Sequence, residues 1–332
     1  MKRWTSLGPI LIVAVCLYSL RAADAPPADA NELVVIDKDG NPQKLKAWKF
    51  VSGVRPLNWL APPADAPEKE AKPKGERPKA AEGPLAFVFR DENSTPYQEG
   101  ILTLIPLDRI RSIDFDAKER TVAVRVATNE KPDADDKLAG TTKYVGTNRV
   151  TIEAEVDRGD EGIAAVKYLG GVPEGGIRSV RFPAPKPPAE AAAGRAAFVN
   201  VEKEKADEKE NVQQVSDLQP LYQFADGSEK LLPKLFFKKT LKIDVAKVKR
   251  LVAVDSRAPE GKELDVTLKD GNSDTLTLLK TAMIDDKPAT LVGLVGRVPA
   301  GYKLFPVHTI AEVQFDERQE KKPEKKEGEK DK

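Results

Sequence analysis

The side chains that most often carry chemistry are scarce in this sequence. His308 is the single histidine among 332 residues, and Cys16 is the single cysteine. A histidine can serve as a general base or as a metal ligand. His308 stands where a repeated stretch has Asp108, a turn position, and is read as a solvated turn residue. With one histidine and no second thiol, a metal site is confined to oxygen ligands. DKDGN (37–41), DGNSD (270–274) and DADD (133–136) supply such oxygens. A calcium loop of the helical-hand kind needs glycine at its sixth position and glutamate at its twelfth. The first two stretches lack that layout and read as hairpin turns, and the third reads as a solvated loop. There is no Gly-x-Ser-x-Gly elbow and no phosphate-cradling glycine loop. The 53 acidic residues allow a carboxylate pair for glycoside hydrolysis, but no spacing singles one out. No catalytic residue, metal or cofactor is expected. The candidate ligand contacts are Trp48, beside Phe50 in KAWKF, and Trp59, in VRPLNWLAPP at the edge of a proline-rich stretch. Tryptophan stacks on sugars and peptides, and is more often part of a core.

The start of the chain narrows the setting. Lys2 and Arg3 precede an apolar run from Leu7 to Leu20, and Ala22 and Ala23 follow it. That layout predicts a secretory signal peptide over residues 1–23. The run is short for a membrane span, which needs about 20 apolar residues, and Pro9 interrupts it. After cleavage no stable span is expected, and the chain keeps no cysteine. Loss of Lys2, Arg3 and Arg21 takes the 54 basic residues to 51 against 53 acidic ones, a net charge of −2. A nucleic-acid binder needs a basic surplus to neutralise phosphates, so that class is excluded as an expectation.

Three stretches are rich in Pro, Ala, Lys and Glu and poor in apolar bulk: 61–84, 184–211 and the tail 318–332. Such composition does not bury enough surface to offset chain entropy, so they are expected to be disordered spacers. Between them the apolar residues alternate. Val122, Val124 and Val126 share one face; so do Val150, Ile152, Ala154 and Val156; Leu264, Val266 and Leu268; and Leu85, Phe87 and Phe89. A period of two marks strands with one buried face. Asp39-Gly40, Asp226-Gly227 and Asp270-Gly271 punctuate them as tight turns. Residues 234–251 fit either a strand pair or an amphipathic helix. The expected fold is all-β and mainly antiparallel.

One phrase occurs twice. LIPLDRIRSIDFD (104–116) and LFPVHTIAEVQFD (304–316) share apolar, proline, apolar, two polar, isoleucine and a closing Phe-Asp. Looser echoes stand at 175–183 (GGIRSVRFP) and 243–255 (IDVAKVKRLVAVD). Further matches pair 168–175 with 294–301, 147–153 with 273–279, and 37–50 with 224–237. Their common order predicts two halves, 31–183 and 212–317, each made of two small β units. Within the phrase, proline fixes φ and ends a strand, a tight turn follows, and Ile110, Ile113 and Phe115 point inward from a final strand, as do Ile310, Val313 and Phe315.

Pro106 with Ile110, and Pro306 with Ile310, resemble the closing segment of Src-homology-3-like small β-barrels. The resemblance implies barrel units. In that family a tyrosine of this stretch serves the proline-peptide groove, and Arg109 and Thr309 stand there instead, so proline-peptide binding is not implied. Barrel and sandwich both use short alternating strands. The expected function is that of a secreted or periplasmic, non-enzymatic binding or structural protein of the cell envelope. Its partner would be an envelope protein or a glycan. The alternatives are an extracellular hydrolase using a carboxylate pair and an assembly subunit anchored by an uncleaved first segment.

Overall fold

The computed structural model describes residues 33–45, 47–61, 83–91, 100–116, 118–127, 141–171, 176–183, 194–203, 211–255 and 261–316. The expected leader 1–23, the tail 318–332, DADD and most of the stretch 61–84 lie outside the described residues. The first half contains β1 (Leu33–Asp37), β2 (Pro42–Leu45), β3 (Trp48–Ser52), β4 (Val54–Pro56), β5 (Leu85–Asp91), β6 (Leu102–Pro106), β7 (Ile110–Asp116), β8 (Thr121–Ala127), β9 (Thr141–Thr147), β10 (Val150–Asp157), β11 (Ile163–Gly170) and β12 (Ile177–Arg181). The second contains β13 (Ala196–Val201), β14 (Val212–Phe224), β15 (Glu229–Leu231), β16 (Lys234–Phe236), β17 (Lys242–Asp244), β18 (Val248–Asp255), β19 (Glu263–Leu268), β20 (Ser273–Thr277), β21 (Thr281–Ile284), β22 (Lys287–Val298), β23 (Gly301–Phe305) and β24 (Ile310–Phe315). The fold is all-β and antiparallel, as the alternation predicts. Among the described residues no helix is long and apolar enough to cross a membrane.

The alternating positions are buried because each strand has one face on a core. Val122, Val124 and Val126 are 0% exposed, as is Ile152. Leu85 departs from the pattern: it is exposed at the start of β5, while Phe87 and Phe89 are buried. Residues 234–251 fold as β16, β17, a 3₁₀ turn at Val245–Lys247 and the start of β18. Their apolar residues Leu235, Phe237, Val245 and Val248 are buried between paired strands rather than along a helical stripe. The expected linker 184–211 needs correction. Part of it is strand β13, which pairs with both β14 and β24 and buries Ala197, Val199 and Val201.

The strands form four small rings among the described residues. The first runs β12–β1–β2, continues through β3, and returns by β10 and β11. The second runs β7–β8–β9–β5–β6, with a 3₁₀ turn at Leu107–Arg109 joining β6 to β7. The third runs β24–β13–β14–β22–β23, with a 3₁₀ turn at Val307–Thr309 joining β23 to β24. The fourth runs β18–β19–β20–β16–β17, where a bridge between Phe237 and Leu278 joins β20 to β16. The 3₁₀ turn at Val245–Lys247 returns it to β18.

The closing strands β12, β7, β24 and β18 are the two phrases and their two echoes. All four carry a β-bulge at the same place. Arg178, Arg111, Ala311 and Lys249 are skipped in the pairing with β1, β8, β13 and β19. The residue before the bulge is buried each time: Ile177, Ile110, Ile310 and Val248. Three residues further on, Val180, Ile113, Val313 and Leu251 face Val35, Val124, Val199 and Val266. A bulge bends its strand and twists it more strongly, which is what closing a small ring requires.

The order of the rings along the chain differs from a simple repeat of halves. The second ring is inserted between β3 and β10 of the first, and the fourth between β14 and β22 of the third. Each inserted ring also has its closing strand in the middle of its run, β7 of β5–β9 and β18 of β16–β20, whereas the ring that holds it closes on its last strand, β12 or β24. The match of 168–175 with 294–301 therefore does not survive. Residues 168–170 lie on β11, which pairs with β10 alone among the described strands, whereas 294–298 lie on β22 between β14 and β23. A closer correspondence is KDGN at 38–41 and 269–272. Both stretches turn β1–β2 and β19–β20 hairpins in the same register, with Gly40 and Gly271 each at φ 92°. That backbone conformation suits glycine.

Neighbouring rings share strand pairings. β7 pairs β12, and β18 pairs β24, so closing strands lie side by side within each half. The halves join through β6 and β23, where Leu104, Thr103 and Leu102 oppose Tyr302, Lys303 and Leu304. Leu57, Ala86, Leu104, Leu221, Val295 and Leu304 form an apolar cluster across this joint, and Arg55 bonds the buried Glu229 at 2.6 Å. Gly301 sits at the joint, where an added Cβ would lie 2.3 Å from the Leu104 carbonyl oxygen and 2.9 Å from Pro106. A Gly301→Ala variant is expected to lose about 1–3 kcal/mol by forcing these backbones apart. Thermal unfolding reads this as a lower Tm, and an unchanged Tm contradicts it.

Candidate functional site

A concavity with a volume of about 610 Å³ lies on the fourth ring. One wall is β17 and the 3₁₀ turn, contributing Lys242, Ile243, Asp244 and Lys247, with Leu241 beside them. The opposite wall is the β19–β20 hairpin, contributing Leu268, Asn272, Ser273 and Asp274. Lys234 of β16 closes one end, and Val266 and Leu276 help form the floor.

The local sequence holds these walls. The Asp244 carboxylate accepts the Ala246 backbone N–H at 2.8 Å and caps the turn. Short polar side chains are favoured there because they satisfy backbone donors that a helical turn leaves free. Asp270 does the same in the hairpin, accepting from the Asn272 backbone and side chain at 3.0 Å each. The Lys269 N–H donates to the Lys247 carbonyl at 2.9 Å and ties hairpin to turn. Arg195 reaches in from the third ring and donates to the carbonyls of Val245 (2.9 Å), Ala246 (3.4 Å) and Val248, with its guanidinium 4.5 Å over the Phe315 ring. A planar fork with several donors is suited to gathering carbonyls in this way. Burial holds the pKa of Arg195 below its ordinary value.

Lys234, Lys242 and Lys247 bring three positive charges to a groove whose acids are Asp244, already engaged by the turn, and Asp274. Lys242 lies 5.5 Å over the Phe236 ring. Leu241 is 41% exposed at the rim. An apolar floor under a fringe of lysines is complementary in chemistry to an extended chain that alternates apolar contacts with anionic groups.

The two candidate tryptophans, Trp48 and Trp59, stand elsewhere and apart from one another. Trp48 begins β3, half-buried and edge-on to Phe50 (5.8 Å) and Phe182 (6.4 Å), against the core of the first half. Trp59 lies in a 3₁₀ turn at Asn58–Leu60, edge-on to Tyr302 at 6.0 Å, with the Arg55 guanidinium 5.6 Å over its ring. It packs on the joint between the halves. His308 is exposed in the 3₁₀ turn before β24, and Asp108 is exposed at the same place before β7. DKDGN and DGNSD are hairpin turns; in the first, Asp37 accepts the Asp39 and Asn41 backbone N–H at 2.9 and 2.8 Å. Those bonds hold its pKa below the usual carboxylate value. Among the described residues no three His, Cys, Asp or Glu side chains stand close enough to share a metal ion. No sequence signal pointed to the groove lysines, because lysine is abundant throughout and only the ring brings these three together.

No family model, curated protein or solved structure compared with the chain matches it.

Proposed function

We propose that the chain is an exported, non-enzymatic binding or structural protein of the cell envelope, built from Src-homology-3-like barrels. Its binding face is the groove of the fourth ring, and its ligand is an extended acidic chain, a peptide or an anionic glycan. The layout of residues 1–23 supports export. The ring order, with a 3₁₀ turn before β7, β18 and β24, supports the barrel resemblance. The observation that carries the binding role is the fringe of Lys234, Lys242 and Lys247 over an apolar floor.

Titration calorimetry of the full chain with poly-L-glutamate tests this reading. The expected result is saturable binding that weakens as salt rises, because exposed charges are screened over about 10 Å at 0.1 M. A Lys242→Glu/Lys247→Glu variant is expected to bind about tenfold or more weakly. Absence of heat with poly-L-glutamate, or equal binding by the variant, overturns the assignment of the groove.

A further inference from the structure

We infer that the free edge of β11 is a self-association surface, and that its partner is β11 of a second copy of this chain. Beside each closing strand in chain order lies a fourth strand of the ring: β11, β6, β17 and β23. Two of them, β6 and β23, pair with one another across the middle of the molecule. That pairing is antiparallel and symmetric about Thr103 and Lys303, which stand immediately before the two repeated phrases. The protein thus already contains one fourth-strand joint, made by two copies of one unit.

β11 has the same standing in the first ring. It pairs with β10 and, among the described strands, with nothing on its other edge. It is eight residues long, against three for β17. An open edge offers a row of backbone donors and acceptors to another chain. The register follows from the internal joint. Thr103 stands two residues before Ile105, which faces the buried Phe87. On β11 the residue facing the buried Ile152 is Tyr168, so the equivalent centre is Val166.

Pairing two β11 strands about Val166 sets Ile163 of one copy opposite Leu169 of the other, twice. Ile163 is 63% exposed and Leu169 is 44% exposed, two of the most exposed large apolar residues of the first half. The same register sets Lys167 opposite Ala165, with Glu153 beside each Lys167 at 3.9 Å to offset its charge. The contact is isologous and closes at two copies. It extends the β3–β10–β11 sheet of each copy into one six-stranded sheet.

Sedimentation and disulfide trapping test the register in the full chain carrying Cys16→Ser. Ala165→Cys/Lys167→Cys is expected to cross-link into dimers on oxidation, since opposed residues lie about 4.5–5.5 Å apart, within the span of a disulfide. Ala165→Cys alone is expected not to, because its counterpart is diagonal, about 7–8 Å away. Ile163→Glu is expected to weaken the dimer by about tenfold or more, entering the contact twice, with circular dichroism unchanged because the residue is exposed. A chain that sediments as a monomer at about 0.1 mM, a dimer indifferent to Ile163→Glu, or equal trapping by both cysteine variants overturns the inference.

Discussion

Lys262→Met is expected to lower stability by about 2–4 kcal/mol. Lys262 is 7% exposed, and its ammonium donates to Glu202 at 3.1 Å, to the Val307 carbonyl at 3.2 Å and to the Ile310 carbonyl. It thus stitches the 3₁₀ turn of the third ring to the start of β19. Methionine keeps much of the volume and removes the three hydrogen bonds that the ammonium donates. The expected loss lies below that of a fully enclosed pair because Glu202 reaches water. Urea unfolding measures it, and a loss under about 0.5 kcal/mol, the range of an ordinary surface substitution, contradicts it.

The same residue gives a pH dependence of definite sign. Burial lowers the pKa of Lys262, and Glu202 opposes that shift without reversing it. Well below the folded-state pKa the amine is charged in both states, and the folded state bears the cost of burying the charge. As pH rises through the folded-state pKa toward 10.5, the folded chain releases the proton before the unfolded chain does. Stability rises wherever the unfolded state holds more protons. The native chain should therefore gain on Lys262→Met between pH 7 and pH 10. A gap that narrows over that range contradicts the assignment.

Ile113→Ala is expected to cost about 3–4 kcal/mol. Ile113 is 0% exposed and directly opposes Val124 on one side and Val180 on the other, where the first and second rings share their closing strands. The cavity would open in the centre of the first-half core, bounded by paired strands that have little freedom to collapse. Arg111→Ala, two residues earlier at the exposed bulge, is the control and is expected to change stability by less than about 0.5 kcal/mol. Equal effects from the two variants would contradict the placing of Ile113 at the centre of that core.

The parts of this fold that could be read from the sequence are those set by neighbours along the chain. Alternation in β8, β10 and β19 is legible because one face of each strand meets a core. The closing phrase is legible four times over because the bulge demands a buried residue before it and another three residues later, as in Ile110 and Ile113 or Val248 and Leu251. The nesting of the rings is not legible, because which strand completes a ring depends on partners far away in the chain. The match of 168–175 to 294–301 misled for a related reason. Gly-Gly and Val-Pro-x-Gly describe turns, and turns follow unlike strands equally well. β13 was hidden because AAFVNV is short and is flanked by Ala- and Glu-rich stretches. The groove lysines were hidden because they converge only when β16, β17 and the 3₁₀ turn are placed together.

The nesting sets an order for birth on the ribosome. In each half the inserted ring has all its strands made while the ring around it still lacks its last ones: β9 emerges before β10, and β20 before β22. The early strands β1, β2, β13 and β14 must wait, with apolar faces uncovered, until their late partners are translated. The inner rings are thus the natural first-formed pieces of each half, on which the outer strands close like a clasp.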